Sequence, residues 1–428
     1  MLYRAAFIAS VSVTSAIAAG AELAAADYKH LGVASCAASV CHGKLTAQTG
    51  RDVALNEYRI WLQNDQHSQA YRVLESPRSK SIAANLGLGS ASAAKICLDC
   101  HADNVPAAMR GPKFQISDGV ACEACHGGAE KWIETHTQQA ATHADNVARG
   151  LYPTEQPLRR AERCLSCHLG TSDKFATHAI MGAGHPRLAF ELDTYSANQP
   201  AHFHPRDPGY IRRKGKIGEM NLWLTGQLEN AERYLALLQS DLSKPAGLMP
   251  EFAFYDCFSC HHSIDKPRWS RSRAGAGLQP GSLHLQRQQL LMLRAITEVV
   301  DPPRVAELTA ATDALMRAGH TDIASVHSAA KTLDDWVRSR ADWAQRNYSA
   351  IDVASVRKML VRYAGDDKAS DFAMAEQVVL GVESLSYAAG DHDRRKAALD
   401  ALYNTVKSAA NFNPTQFADV ARGLQGQF

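Results

Sequence analysis

The chain of 428 residues carries 46 Lys and Arg against 44 Asp and Glu, which gives a formal net charge of +2. This balance excludes a protein that works through a strongly basic nucleic-acid-binding surface. The ten cysteines are more informative, because their spacing distinguishes disulfides, metal sites and covalently attached cofactors.

The first 26 residues have the layout of a cleaved secretory signal. Arg4 precedes an apolar and small-residue run over residues 5–19, and three alanines, residues 24–26, precede Asp27. The run is short for a membrane span, which needs about 20 apolar residues, and no later segment approaches that length. We therefore expect an exported, soluble protein of the periplasm whose mature chain begins near Asp27.

Five cysteine motifs, numbered 1 to 5 in chain order, follow this segment. Motifs 2 to 5 have the pattern C-x-x-C-H, in which two thiols attach one haem and the histidine becomes its proximal iron ligand. Motif 1 has four residues rather than two between its cysteines, and we expect a looped-out backbone to absorb the extra length. The predicted haem-binding cysteines are Cys36, Cys41, Cys97, Cys100, Cys122, Cys125, Cys164, Cys167, Cys257 and Cys260, and the predicted proximal ligands are His42, His101, His126, His168 and His261.

These five motifs use all ten cysteines. Disulfides or zinc knuckles are the alternative, but neither would require a histidine directly after every second cysteine. The sequence therefore predicts five covalently bound haem c groups.

The expected fold is mainly α, in two parts. Residues 27–267 are rich in Gly, Pro, His and Cys, so we expect a multihaem cytochrome c domain with little regular structure, in which haems form much of the core. Two exceptions are a helix that includes Tyr58, His67 and Tyr71, and a second helix over residues 219–242, where leucines recur at helical spacing.

Residues 283–428 contain no cysteine motif and have the periodicity of successive helices. Asn413 followed by Pro414 is typical of a helix start. We expect this all-α region to pack on the haem domain or to form a contact in a homo-oligomer. The predicted helices cover residues 283–300, 303–318, 321–346, 351–364, 369–389, 392–409 and 415–424.

Thirteen histidines lie outside the motifs, and five of them would suffice to give every haem a second histidine ligand. His320, His327 and His392 lie in the helical region, where surface or helix-capping roles are expected. Nine others lie inside or beside the haem region: His67, His136, His143, His178, His185, His202, His204, His262 and His284.

Two stretches resemble the multihaem family typified by cytochrome c-554, which is related in haem packing to the hydroxylamine oxidoreductases. The first is E-Y-x-x-W-x5-H-S-Q-A over residues 57–70, and the second is G-V-x-C-E-x-C-H-G over residues 119–127, followed by Trp132 and His136. The resemblance extends over about residues 36–185. The motif 5 haem and the helical region depart from the tetrahaem type of that family.

The resemblance implies two distal ligands. His67 would bind the haem of His126, and His136 would bind the haem of His42, so that these two haems form a close stacked pair. Further along the chain, we expect His178 and His185 to be distal ligands of the haems of His168 and His261, in an undecided order. His284, His202 and His204 are the reserve candidates.

The haem of His101 is expected to be the exception, because in the resembled family the second haem can lack a distal protein ligand. Met109 or Met181 could fill its sixth position, although a methionine in such a place is more often a packing residue. His202, His204 or His284 is the alternative ligand. His262 directly follows a proximal ligand and cannot reach the opposite face of the same haem.

Electron transfer is the expected function, because a haem with two histidine ligands has no open coordination position. Suitable partners are redox proteins, either a quinol-linked membrane complex or other cytochromes, and the sequence assigns no catalytic residue. The alternative is an oxidoreductase that acts on a small nitrogen or sulfur compound at one five-coordinate haem. Pentahaem nitrite reductases typically carry a lysine in place of one proximal histidine, and all five motifs here end in histidine.

Overall fold

The computed structural model describes residues 28–48, 53–203, 207–218, 220–244, 249–262, 278–279 and 282–428. The predicted signal and His204 lie outside these ranges. Within them the chain is mainly helical and contains no β-strand, which confirms the predicted mainly-α fold. No helix in the described ranges is long and apolar enough to cross a membrane.

The haem region contains ten short helices between residues 57 and 214. Proline occupies the first turn of α3, α7 and α10, where its missing N–H costs no helical hydrogen bond. The helices α1 to α10 are Glu57–Asn64, Ala70–Val73, Pro77–Asn85, Lys95–His101, Cys122–His126, His143–Ala148, Pro157–His168, His178–Gly182, Leu192–Asn198 and Pro208–Lys214.

The predicted continuous helix around Tyr58 and Tyr71 is wrong, because the chain breaks at Asp65. This residue has an extended backbone, and its carboxylate accepts a hydrogen bond from the backbone N–H of His67 at 3.0 Å. Such a side-chain acceptor competes with helical hydrogen bonding. The segment therefore divides into α1, a 3-10 turn over Gln66–Gln69, and α2.

Within the described ranges, eight further helices build the other part of the molecule, and their apolar faces share one buried core. Asn413 accepts hydrogen bonds from the backbone of Thr415 and Gln416, as expected for the cap of the last helix. The helices α11 to α18 are Asn221–Leu238, Gln288–Val300, Val305–Ala318, Ile323–Arg338, Ala350–Gly365, Phe372–Ala388, His392–Thr405 and Pro414–Leu424.

The helix predicted over residues 321–346 is shorter in the structure. α14 ends at Arg338, and a 3-10 turn over Ala341–Gln345 follows. This turn buries Trp343 completely, and the side chain of Asn221 donates to the carbonyl of Ala344 at 2.7 Å. Burial of a large aromatic side chain against α11 thus overrides continued helical periodicity.

α11 connects the two parts of the molecule. It packs against α7, which carries motif 4, and also against α12 and α14. A second connection is made by Glu191, whose buried carboxylate caps α9 and accepts the hydroxyl of Ser384 from α16 at 3.1 Å. The helical region therefore packs directly on the part of the chain that carries the motifs.

Candidate haem centres

Three of the motifs lie on helices that end at the motif histidine. α4 ends at His101, α5 at His126 and α7 at His168. Residues three apart lie on one face of a helix, so both cysteines of each motif face the same side. All ten cysteines are free of disulfide bonds.

Motifs 1 and 5 reach a comparable compactness without an α-helix. In motif 1 the backbone N–H of His42 donates to the carbonyl of Cys36 at 3.1 Å, which loops out the additional residues. In motif 5 a 3-10 turn begins at Cys257, and the carboxylate of Asp256 accepts the N–H of Phe258 at 2.8 Å. The longer spacing of motif 1 is therefore compatible with attachment of one haem.

Each motif histidine faces one histidine from outside the motifs. The distances between the two ring centroids fall between 6.2 and 6.3 Å in all five cases. The pairs are His42 with His136, His101 with His185, His126 with His202, His168 with His67, and His261 with His178.

This separation fits an iron between the rings. An imidazole nitrogen lies about 2 Å from its metal, so two opposed ligands place their ring centroids about 6 Å apart. Direct stacking is much closer, as in the contact of His392 with Tyr387, whose centroids are 3.7 Å apart. The five pairs therefore fit a haem group in each gap, with one axial histidine on each face.

In five of these ten rings the Nδ1 atom is hydrogen-bonded to a protein oxygen, which leaves Nε2 available for a metal. Backbone carbonyls lie 2.6 to 3.0 Å from Nδ1 of His101, His136 and His185. Carboxylates take this position at the other two rings, Glu57 at 2.9 Å from His42 and Asp65 at 2.8 Å from His67. These contacts orient the rings and favour the tautomer that a haem iron requires.

The charge state of two buried groups agrees with this role. Burial opposes ionisation of Asp65, but hydrogen bonds from His67 and Gln199 outweigh it and hold the pKa of its carboxyl at about 2. Burial and nearby cationic groups lower the pKa of His126 to about 4. At neutral pH Asp65 is therefore an anion that accepts from His67, and His126 is a neutral ring that can bind a metal.

The motifs are arranged in a row that differs from their order in the chain. The thiol of Cys36 in motif 1 lies close enough to that of Cys122 in motif 3 for each to shift the pKa of the other. The other cysteine of motif 3, Cys125, interacts electrostatically with Cys164 of motif 4. Motif 4 in turn contacts motif 2, because the thiol of Cys167 lies 3.9 Å from the carbonyl of Asp99, and the thiols of Cys167 and Cys100 shift each other's pKa.

Motif 5 completes the row beside motif 2. His178, which faces the motif 5 histidine, begins α8, and His185, which faces the motif 2 histidine, follows the same short helix. The spatial order is therefore 1, 3, 4, 2, 5. The adjacency of motifs 1 and 3 is the one that the family resemblance implies.

The pairing of His136 with His42 is also the one implied by the resemblance, but the implied pairing of His67 with His126 is wrong in the structure. His67 faces His168, because the carboxylate of Asp65 holds both its backbone N–H and its ring in a turn that points toward motif 4. His126 faces His202, one of the reserve candidates.

The two histidines beyond motif 4 are also divided differently from the expectation. His178 faces His261, one of the two alternatives, whereas His185 faces His101 and not His168. The expectation that His101 lacks a histidine partner is therefore not supported by the geometry. No local sequence pattern distinguishes His202 as a ligand. His204 lies only two residues away, and Phe203 between them does not favour either histidine.

Other candidate histidines have different partners in the structure. His143 lies 2.5 Å from the carboxylate of Glu155 through Nε2, and His30 lies 2.7 Å from Asp103 through Nδ1. The carbonyl of His284 accepts the backbone N–H of Asp256. Within the described ranges, no three His, Cys, Asp or Glu side chains are grouped as a site for a bare metal ion.

A comparison with protein families agrees with this site. Residues 35–127, which contain motifs 1 to 3, match the model for the family described as cytochrome c554 and c-prime. The match supports a cytochrome c554-like family, and with it a c-type cytochrome that binds haem c covalently and transfers electrons. No curated protein and no solved structure gives a match to the chain.

Proposed function

We propose that this protein is an exported pentahaem c-type cytochrome that transfers electrons through five haems, each with two histidine ligands. The observation that carries the proposal is that all five motif histidines face a second histidine across 6.2 to 6.3 Å. A bound haem supplies reversible one-electron chemistry at its iron, and two histidine ligands leave that iron no coordination position for a substrate.

The residues of this chain would hold and tune the five groups in distinct ways. The cysteine pairs provide covalent attachment, and the paired histidines provide the axial ligands. Glu57 and Asp65 would make their histidines stronger electron donors and so lower the potentials at motifs 1 and 4. The carbonyl acceptor at His101 is uncharged and would have a smaller effect at motif 2.

The row of motifs supports a conductive role. Cysteines of motifs 1 and 3, 3 and 4, and 4 and 2 lie close enough to interact electrostatically, so neighbouring attachment sites are close together. Charge on one haem shifts its neighbours, so the five would titrate as a coupled set. The partners would be redox proteins in the periplasm, such as other cytochromes or a quinol-linked complex.

The alternative of a catalytic oxidoreductase has no specific observation in its favour. That alternative requires a haem iron with an open coordination position at motif 2. The His185 ring centroid lies 6.3 Å from that of His101, as in the other pairs. An electron carrier is therefore the better supported function.

Mass and spin state test the proposal. The intact exported protein should exceed the mass of its mature chain by five haems, and four would mean that motif 1 is not an attachment site. Low-temperature electron spin resonance should show only low-spin ferric iron, and carbon monoxide should leave the spectrum of the reduced protein unchanged. A high-spin signal together with carbon monoxide binding would contradict five bis-histidine haems and favour the enzyme.

A further inference from the structure

We propose that the loop around motif 1 is a docking surface for an acidic redox protein, and that electrons enter or leave the molecule there. We call residues 37–48 the motif 1 loop. The inference rests on the proposed electron-transfer function and adds to it a contact surface and the charge of the partner.

The motif 1 loop exposes two large apolar side chains. Val40 is 82% exposed and Leu45 is 83% exposed, whereas Leu62 of α1 is 38% exposed. Val40 belongs to the longer spacing of motif 1, and it projects because Gly43 N–H donates back to the carbonyl of Ala38 at 3.0 Å. The longer motif therefore produces an apolar protrusion directly beside a haem attachment site.

This loop is held in a defined shape. Its backbone N–H groups at Lys44 and Gln48 donate to the carbonyls of Leu55 and Ala54 at 2.8 and 2.7 Å. The Leu55 N–H donates to Glu57, the same carboxylate that contacts the His42 ring. A preorganised loop loses little conformational entropy on binding, and this one is linked by a single side chain to the proximal ligand.

Two cations, Lys44 and Arg59, lie in or beside the motif 1 loop. The ammonium of Lys44 donates to the amide oxygen of Gln48, and the guanidinium of Arg59 lies 3.5 Å from the carbonyl of Gly43. Neither has a carboxylate partner among the residues that the structure describes, and the nearby Glu57 already contacts His42. An apolar centre with a basic rim fits an acidic partner, because complementary charge speeds encounter and orients short-lived complexes.

Motif 1 also lies where electrons could pass to or from a partner protein. It lies at one end of the row, with motif 3 as its neighbour through the contact of Cys36 with Cys122. A partner docked on the loop would therefore approach the first haem of the path without displacing any other motif.

Reduced plant-type ferredoxin, a small acidic iron–sulfur protein of low potential, is the probe. Its rate constant for electron transfer to the oxidised, haem-loaded protein is measured by stopped flow at low and high salt. The variant K44E/R59E should lower the rate constant about tenfold at low salt and remove most of its salt dependence. The variant V40S/L45S should lower it several-fold at both salt concentrations, because the apolar contact is lost.

The matched control is I351S/K358E, which changes an exposed apolar residue and an exposed lysine in α15 and should react like the unchanged protein. Equal rates in all three variants would overturn the docking proposal, as would a wild-type rate that does not depend on salt. A dimer that V40S/L45S dissociates would show instead that the loop joins two copies of this chain. Haem content and low-spin spectra, measured on the same samples, test the proposed function separately.

Discussion

Asp65 combines two roles within one side chain. Its Oδ1 accepts from both the backbone and the ring of His67, and its Oδ2 accepts from Gln199 at 3.0 Å. The hydrogen bond from the backbone N–H of His67 ends a helix, and the one from its ring orients a candidate iron ligand. A single buried carboxylate therefore decides both the local backbone and the motif that His67 serves.

Asp65→Asn should raise the potential of the haem at motif 4. The carboxylate stabilises ferric iron through His67, and a neutral amide removes that stabilisation. The hydrogen bond to a charged acceptor should stabilise the ferric haem over the ferrous haem by about 1.4 kcal/mol. Loss of that difference would raise the one-electron potential by about 60 mV. Spectroelectrochemical titration measures it, with Asp335→Asn on the exposed face of α14 as the control; an unchanged potential would exclude this tuning.

His202→Ala should convert one low-spin haem, the one attached at Cys122 and Cys125, to a high-spin form. The reason is that His202 is the ring opposite His126, and alanine offers no ligand. Electron spin resonance and the visible absorption spectrum report the change of spin state. His204→Ala is the matched control two residues away. If only His204→Ala changed the spectrum, His204 and not His202 would be the ligand opposite His126.

At the scale of the elements, α16 begins at a buried acidic cap beside motif 5. The Asp371 carboxylate accepts the N–H of Met374 at 2.7 Å. Burial, and then the neighbouring charge of Asp256, raises the pKa of Asp371 to about 7. Since Asp256 caps the 3-10 turn of motif 5, the start of a structural helix and a haem motif share one electrostatic environment.

The free energy of unfolding should therefore fall as pH rises from 5 to 8. In the unfolded chain the pKa of an aspartate is about 4, so the folded protein binds the proton more tightly. This contribution is complete below the pKa of the unfolded carboxyl, about 4, and is lost as pH rises through the raised pKa of the folded protein. Chemical denaturation at both pH values measures it.

Asp371→Asn is the informative comparison, because asparagine keeps the helix cap without ionising. The variant should show a smaller loss of stability between pH 5 and 8 than the unchanged protein. Because other buried acids are present in both proteins, the difference between them isolates Asp371. Equal losses would show that the Asp371 carboxyl does not titrate in this interval.

At the scale of the whole molecule, α11 joins the motif-bearing part to the helical core through close contacts. Gly226 faces Leu192 of α9, and a Cβ at this glycine would lie 2.6 Å from the Cβ of Leu192. Leu192 is almost completely buried, so neighbouring side chains restrict its movement. The absence of a Cβ at Gly226 therefore permits the close approach of the two helices.

Gly226→Ala should destabilise the protein by about 1 to 3 kcal/mol, because the added methyl group overpacks this contact. Gly423→Ala in α18 is the control, since nothing lies within 4 Å of its added Cβ. That change should be neutral or stabilise by up to about 1 kcal/mol through helix propensity. Thermal unfolding of both variants measures the effects, and equal stability would mean that α9 shifts without cost.

The sequence by itself determined the elements whose chemistry is local. Covalent haem attachment was predicted from cysteine and histidine spacing, and the match over residues 35–127 supports haem c in general, whereas the number of five haems stays a prediction. The helices after residue 283 were predicted from apolar periodicity and caps such as Asn413, because both signals lie within one or two turns of the chain. Export and the residues of the signal also stay predictions.

Only the tertiary structure decided which histidine faces which motif. His136 lies 94 positions from His42 in the sequence, and nothing near His202 indicates that it faces His126. The two rings of a pair need only meet across one gap, so the folded path of the chain, and not residue spacing, selects the partner. The break at Asp65 has a local cause instead, because hydrogen bonds from His67, two residues along the chain, outweigh the helical pattern around it.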